Sequence, residues 1–292
     1  MTTRRLSLTM AALAVTATLA MVAASAAAAQ SNFTAADAKA EAGALHQGAI
    51  PAAEIPKAIV DAVNSPDRPA ADRALDAGRK PEQLLAFFGI APGMHVADLW
   101  AGGGWTTELL ARTVGPTGKV YSQNGPFSAR FKKAEEAWKA RVKEPGMSDL
   151  VELEKPFDHP EDILPVPAGS LDAVLINMNY HDMVGRGFDR AKINAAVFRA
   201  LKPGGVYGVV DNSAPAGSGA ADANTTHRID EAFEIKDIEK AGFKLAAASN
   251  ALRNPKDDRT WPVFQHRGEE DRFVLKFVKP TGAGGVGAGL PR

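Results

Sequence analysis

Apolar and polar positions alternate along the chain in blocks, and the blocks change period in a regular order. Residues 81–88 predict a helix, 95–99 a strand, 106–114 a helix and 119–122 a strand. Residues 131–143 are predicted helical from the spacing of Phe131, Ala134, Trp138 and Val142. The continuous apolar run at 171–176 has the form of a strand buried on both faces. A helix over 193–201 is stopped by Lys202-Pro203-Gly204-Gly205, and 206–210 form the next strand. Strands that alternate with helices in this way imply a parallel sheet with helices on both faces.

After Asp211 the rhythm changes to a loop, a helix over 229–241, a strand near 244–248, a polar stretch to Glu270 and a closing strand at 272–278. No helix separates the last two strands, so they are expected as an antiparallel pair that ends the sheet. The pattern places one domain at 67–280. Before it, 30–66 is an Ala-rich N-terminal extension with one short surface helix at 55–63. After it, 281–292 reads TGAGGVGAGLPR and is expected as a flexible Gly-rich tail.

The first residues are of another kind. Arg4 and Arg5 precede an apolar run at 10–24 and small residues to Ala29, which predicts a signal peptide at 1–29, released near an Ala-x-Ala site at Ala27 and Ala29. A retained membrane anchor is the rival reading. The expected localisation is export, in a bacterium the periplasm, by a route left open: Arg4-Arg5 partly matches a twin-arginine signal, but Ser7 stands where an apolar residue is preferred. Basic and acidic residues number 34 each over 292 residues, so no basic excess attracts nucleic acid or an anionic membrane, and a small-molecule partner is expected. There is no cysteine, which excludes disulfides, thiolate metal sites and a cysteine nucleophile. The oligomeric state is not readable.

Four segments carry chemistry. Val96-Ala97-Asp98-Leu99-Trp100-Ala101-Gly102-Gly103-Gly104 ends a strand in an acid and a glycine turn, and Gly118-Lys119-Val120-Tyr121 leads to Asn124. Gly169-Ser170-Leu171-Asp172-Ala173-Val174 runs to Asn177-Met178-Asn179-Tyr180-His181-Asp182, and Leu201-Lys202-Pro203-Gly204-Gly205 precedes a strand. In this order the chain resembles the class I S-adenosylmethionine-dependent methyltransferases over most of 67–280. The resemblance implies an α/β, Rossmann-like, doubly wound seven-stranded sheet, mostly parallel with an antiparallel final strand and helices on both faces. It implies S-adenosylmethionine as cofactor, held at Asp98, Trp100, Gly102, Gly104, Asn124 and Asn177. Bare glycines let the cofactor lie against backbone, and Asp98 would face its ammonium. A dinucleotide fingerprint fails at Thr107, where the last glycine belongs.

Two positions depart from the family pattern. Trp100 replaces the first glycine of the turn, and Asn124 stands where an acid accepts the ribose hydroxyls, with Gln123 beside it to share the task. Methyl transfer needs a nucleophile held in line and, for some acceptors, a proton acceptor. Asn177, Tyr180 and His181 at the fourth strand's exit are the expected catalytic residues, His181 as the proton acceptor. Asp211, Asn212, His227, Arg228, Asp230, Arg253, Asp257, Asp258 and Arg259 are expected on the same edge, and the charged segment from Arg68 to Arg79 either folds over the cofactor mouth or forms a salt-bridged helix. The six histidines show no ligand spacing, so no metal site is expected. Two functions follow: methyl transfer to a small molecule, or a non-catalytic ligand-binding protein of altered specificity on the same fold. An exported enzyme would need its cofactor supplied outside the cytosol, or carried out already bound.

Overall fold

A single mixed sheet realises the alternation. The structure, a computed structural model, describes residues 46–147 and 149–282; the predicted signal peptide, residues 30–45 of the predicted extension and 283–292 of the predicted tail lie outside the described residues. In chain order the strands are β1 (His46–Gln47), β2 (His95–Leu99), β3 (Lys119–Asn124), β4 (Leu150–Glu154), β5 (Leu171–Asn177), β6 (Leu201–Asn212), β7 (Lys244–Ser249) and β8 (Arg272–Val278). Their order across the sheet is β1-β7-β8-β6-β5-β2-β3-β4. All pairs are parallel except β6 with β8 and β7 with β8. Strands β2 to β8 are thus the expected seven-stranded Rossmann-like frame, and the antiparallel last strand inserts between β6 and β7. The two-residue β1 extends the edge beyond β7.

The helices are α1 (Lys57–Val63), α2 (Ala70–Arg73), α3 (Asp76–Arg79), α4 (Pro81–Phe88), α5 (Trp105–Val114), α6 (Lys132–Arg141), α7 (Tyr180–Gly185), α8 (Arg190–Ala200) and α9 (Glu231–Glu239). Their limits follow local chemistry. Pro81 opens α4, and Gly89, left-handed at φ 76°, closes it. Asp189 caps α8 by accepting from Lys192 N at 3.1 Å, and Asp230 caps α9 by accepting from Ala232 N at 2.8 Å.

Strand alternation divides the buried apolar residues between two cores. Ala97, Leu99, Val174 and Ile176 pack on one face with Ile193, Val197 and Phe243, while Val96, Ala173 and Leu175 pack on the other with Leu109, Leu110 and Phe88. Asp98 is therefore carried on the α5 face, a consequence the site depends on.

Three features differ from the sequence expectation. Strand β4 went unread between the helix at 131–143 and the strand at 171–176, because this edge strand carries Glu152 and Glu154 and only half-buried apolar residues. Strand β6 begins at Leu201, which pairs with Leu171 before the ladder shifts register and resumes at Ala173 and Val206. Finally, α1 is not a surface helix: Ile59 is fully buried, and Ile55, Ile59 and Val63 join the core beneath α4 and α5.

Candidate functional site

The carboxyl end of β2 supplies an acid and a turn. Asp98 is 1% exposed and accepts from Thr107 Oγ1 of α5 at 2.5 Å, and Thr107 Oγ1 lies 3.2 Å from Ser122 Oγ. Burial pushes the Asp98 carboxyl up to about 7, against the pull of the Thr107 hydrogen bonds. Trp100 adopts a left-handed backbone at φ 58°, which costs a residue with a Cβ about 1–2 kcal/mol. Gln123 holds that conformation: its Oε1 accepts from Trp100 N at 3.0 Å and its carbonyl accepts from Ala101 N at 3.0 Å.

Gly102, at φ 57°, is the bare position of the turn, since a Cβ built there would meet nothing within 4 Å. Asn124 grips the same residue from both sides, accepting from Gly102 N at 2.8 Å and donating to Gly102 O at 3.2 Å. The amide expected at the ribose thus also closes the turn, and Gln123, expected to share the ribose, is fully buried behind it. Gly104 does not face the cavities: a Cβ there would stand 2.7 Å from Arg141 Cδ and 2.9 Å from the Trp138 ring, so this glycine is required by helix packing. Gly103 takes its place on the cavity wall.

Three cavities adjoin along this edge. The first, of 330 Å³, is lined by Asp98, Gly103, Asn177 and Asn179 and, from the N-terminal side, by Asp72 and Arg79. The second, of 420 Å³, is lined by Gly102, Asn124, Phe127, Phe157, Asp158 and Asp182, and shares Trp100 and Asn179 with the first. The third, of 330 Å³, shares Leu75, Arg79 and Met178 with the first and adds Phe264, Arg267 and Arg272.

The Trp100 indole packs on Phe157 with centroids 4.3 Å apart, has Phe188 at 6.1 Å, and carries the Arg186 guanidinium over its ring at 5.0 Å. It therefore forms a wall between two cavities and leaves Gly102 uncovered. Arg79 lies over the Trp105 ring at 4.7 Å, and burial, then Arg272, lower its pKa. The charged segment thus contributes Asp72 and Arg79 to the cavity wall, while Arg68, 2% exposed, pairs with Asp76 at 2.6 Å.

The exit of β5 separates its predicted residues. Asn177 lines the first cavity and donates to Thr106 Oγ1 at 3.2 Å. Tyr180 is corrected: it is fully buried, its hydroxyl donates to Asp237 Oδ2 at 2.9 Å and accepts from Asn194 Nδ2 at 2.9 Å, and it lines none of the three cavities. The start of α7 turns it into the core, away from the cavities in which a catalytic place was expected. His181 is 3% exposed, with its ring Nδ1 2.6 Å from Asp211 Oδ1 and its backbone N donating to Asp211 Oδ2 at 2.7 Å. A carboxylate only accepts, so Nδ1 carries a proton, and Nε2 offers a lone pair in the neutral ring; burial opposes the charged ring, but the Asp211 carboxylate outweighs it and raises the His181 pKa.

That Nε2 stands 3.9 Å from Asp182 Oδ2, and Asp182 Oδ1 stands 3.7 Å from His227 Nδ1. The two imidazoles meet edge to face, 5.5 Å between centroids. The absence of ligand spacing in the sequence therefore hid a spatial cluster of His181, Asp182 and His227. Of the remaining expected edge residues, Asn212 lines the third cavity, while Arg228, Arg253, Asp257 and Arg259 form a structural network. Arg228 pairs with Asp257 at 2.7 Å with both side chains fully buried, and Arg253 and Arg259 reach Asp271 at 3.2 and 2.8 Å.

No family model matches the chain. Among solved structures it is similar to a SAM-dependent methyltransferase from Aquifex aeolicus, with 18% identity and TM-score 0.51 over 74% of this chain and 96% of that one. It is also similar to a putative sarcosine dimethylglycine methyltransferase from Galdieria sulphuraria, with 15% identity and TM-score 0.50 over 72% and 88% of the two chains. The 4+2 cyclase SpnF matches at 16% identity and TM-score 0.50, over 78% and 94%. The chain thus has the Rossmann-like class I methyltransferase fold. A cyclase among the neighbours illustrates that this fold alone does not fix the reaction.

Proposed function

We propose that the protein is an S-adenosylmethionine-dependent methyltransferase acting on an anionic small molecule. The observation that carries this reading is the pairing of opposite charges in the first cavity. Asp98 suits an α-ammonium and Arg79 an α-carboxylate, beside a turn left bare at Gly102 and Gly103. Methionine's zwitterion needs that arrangement, since each buried charge requires its partner. The second cavity would take the nucleoside, with Phe157 and Phe127 as apolar walls and Asn124 and Asp158 as polar groups.

When bound, S-adenosylmethionine supplies a methyl group already activated on a sulfonium, so the chain's task is to align an acceptor and exclude water. The third cavity would hold that acceptor. With Arg79 given to the cofactor carboxylate, Arg267 and Arg272 remain against one carboxylate, Glu270, and this excess of positive charge favours an anion. His181, oriented by Asp211, lines none of the three cavities itself; its proposed action on the acceptor is exerted from beside Asp182, which lines the second. Export is part of the proposal, supported by the Arg4-Arg5 pair and the apolar run at 10–24.

The test is S-adenosylhomocysteine release from S-adenosylmethionine over a panel of carboxylate- or phosphate-bearing acceptors and neutral counterparts. Release with anionic members, and a KM raised about fivefold or more by Arg267→Gln at unchanged kcat, is expected. Release with neutral members alone would overturn the acceptor class.

A further inference from the structure

Donors converge from two elements: His181 Nε2 and the Asp182 carboxylate from α7, and His227 Nδ1 from the loop before α9. One ligand atom from each residue lies within 4.8 Å of the other two; His181 Nε2 stands 3.9 Å from Asp182 Oδ2, and His227 Nδ1 stands 3.7 Å from Asp182 Oδ1. Those two are too long for hydrogen bonds. They match the spacing of about 3–4 Å between ligand atoms that share one ion at bonds of about 2.0–2.2 Å. Closing a pair as wide as 4.8 Å takes a shift of about 1 Å, within reach of His227, a partly exposed loop residue.

The two histidines are held in ways that an ordinary solvated side chain does not require. Asp211, fully buried, fixes the His181 tautomer through Nδ1 and so directs the Nε2 lone pair outward. A carboxylate behind a histidine is the usual second support of a metal ligand. His227 holds a left-handed backbone at φ 56°, a strained conformation for a non-glycine residue, and its Nδ1 is buried without a hydrogen-bond partner. Its backbone is fixed by Asn212 Nδ2, which donates to His227 O at 3.1 Å. Strain and an orphaned nitrogen on one residue, both aimed at a carboxylate, are costs that a bound cation would offset.

We propose that His181, Asp182 and His227 form a binding site for one divalent transition-metal ion of the zinc and iron type, with Asp211 as the positioning residue. Two imidazoles and one carboxylate suit such ions and not calcium or magnesium, which take oxygen donors. Three protein ligands leave coordination positions for an exogenous donor. Asp182 lines the second cavity, and Phe264, whose ring lies 4.6 Å from His227, lines the third. The ion would therefore sit between the proposed nucleoside and acceptor cavities, where it can hold an acceptor's oxygen. That use rests on the proposed methyl transfer, whereas the site itself does not.

The test uses the full chain without a histidine tag, stripped with a chelator and titrated with Co(II) and then Zn(II). One Co(II) per chain is expected, with visible d–d absorption bleached by stoichiometric Zn(II). His227→Ala and Asp182→Asn are each expected to weaken Co(II) binding about tenfold or more, while His266→Ala, at an exposed histidine, leaves it unchanged. Absence of a saturable one-to-one spectrum in the wild-type chain overturns the site, as does unchanged affinity in both His227→Ala and Asp182→Asn.

Discussion

Replacing Asp98 by Asn should stabilise the ligand-free protein at alkaline pH while abolishing its cofactor site. The carboxyl is buried on the α5 face with one hydroxyl donor, and its folded-state pKa of about 7 stands above the ordinary 3.8. The group is an acid raised by folding. Below pH 4 both folded and unfolded chains hold the proton, and the full contribution to stability is present. As pH rises towards 7 only the unfolded chain releases it, so stability falls through this window and the loss is complete above the folded pKa. A shift of about three units at about 1.4 kcal/mol each amounts to about 4 kcal/mol.

An amide of the same shape keeps the Thr107 hydrogen bond and has no charge to bury. Urea unfolding of wild type and Asp98→Asn at pH 5 and pH 8 isolates the effect, because other titrating groups cancel in the difference between the two proteins. The variant's advantage should grow by about 3 kcal/mol between these pH values. An advantage that does not change with pH would refute the burial argument, and with it the idea that Asp98 waits for a cationic partner.

Two further outcomes follow from the geometry. Tyr180→Phe removes a hydroxyl shared by Asp237 and Asn194, so it should cost about 1–3 kcal/mol in urea unfolding and leave S-adenosylmethionine affinity untouched; turnover lost at unchanged stability would contradict that. Gly104→Ala places a methyl group 2.7 Å from Arg141 and should destabilise the fold by about 1–3 kcal/mol in the same assay, without first blocking a cavity. Unchanged stability there would mean that Gly104 is not a packing residue.

Much of this was legible in the sequence because continuous apolar strands ending in an acid and glycines have few alternatives. Strands β2, β5 and β8 and the Asp98 turn read directly from that pattern. What was hidden lay where period carries no signal. Strand β4 is an edge strand whose glutamates mask its alternation. Tyr180 and His181 are neighbours in sequence, but a helix rotates about 100° per residue, which sends one hydroxyl to Asp237 and Asn194 and one imidazole to Asp211 and Asp182.

The pairing of His181 with Asp211 links α7 to β6, and His227 joins them only through a loop with a left-handed backbone, so no residue spacing announces the cluster. Arg79 was visible only as part of a charged run; its place on the cavity wall depends on how α3 packs over Trp105. Trp100 is the reverse case. The departure from glycine was plain in the sequence, and only the packing on Phe157 reveals that the indole forms a wall and leaves the turn uncovered.

Calorimetric titration of the full chain with S-adenosylmethionine and S-adenosylhomocysteine, repeated on Gly102→Val and Asp98→Ala, tests the central claim most directly. One-site binding at micromolar Kd, lost in both variants while their far-ultraviolet circular dichroism stays that of the wild type, is the predicted result. A folded wild-type chain that binds neither compound, or a Gly102→Val variant that binds as tightly as wild type, would contradict it.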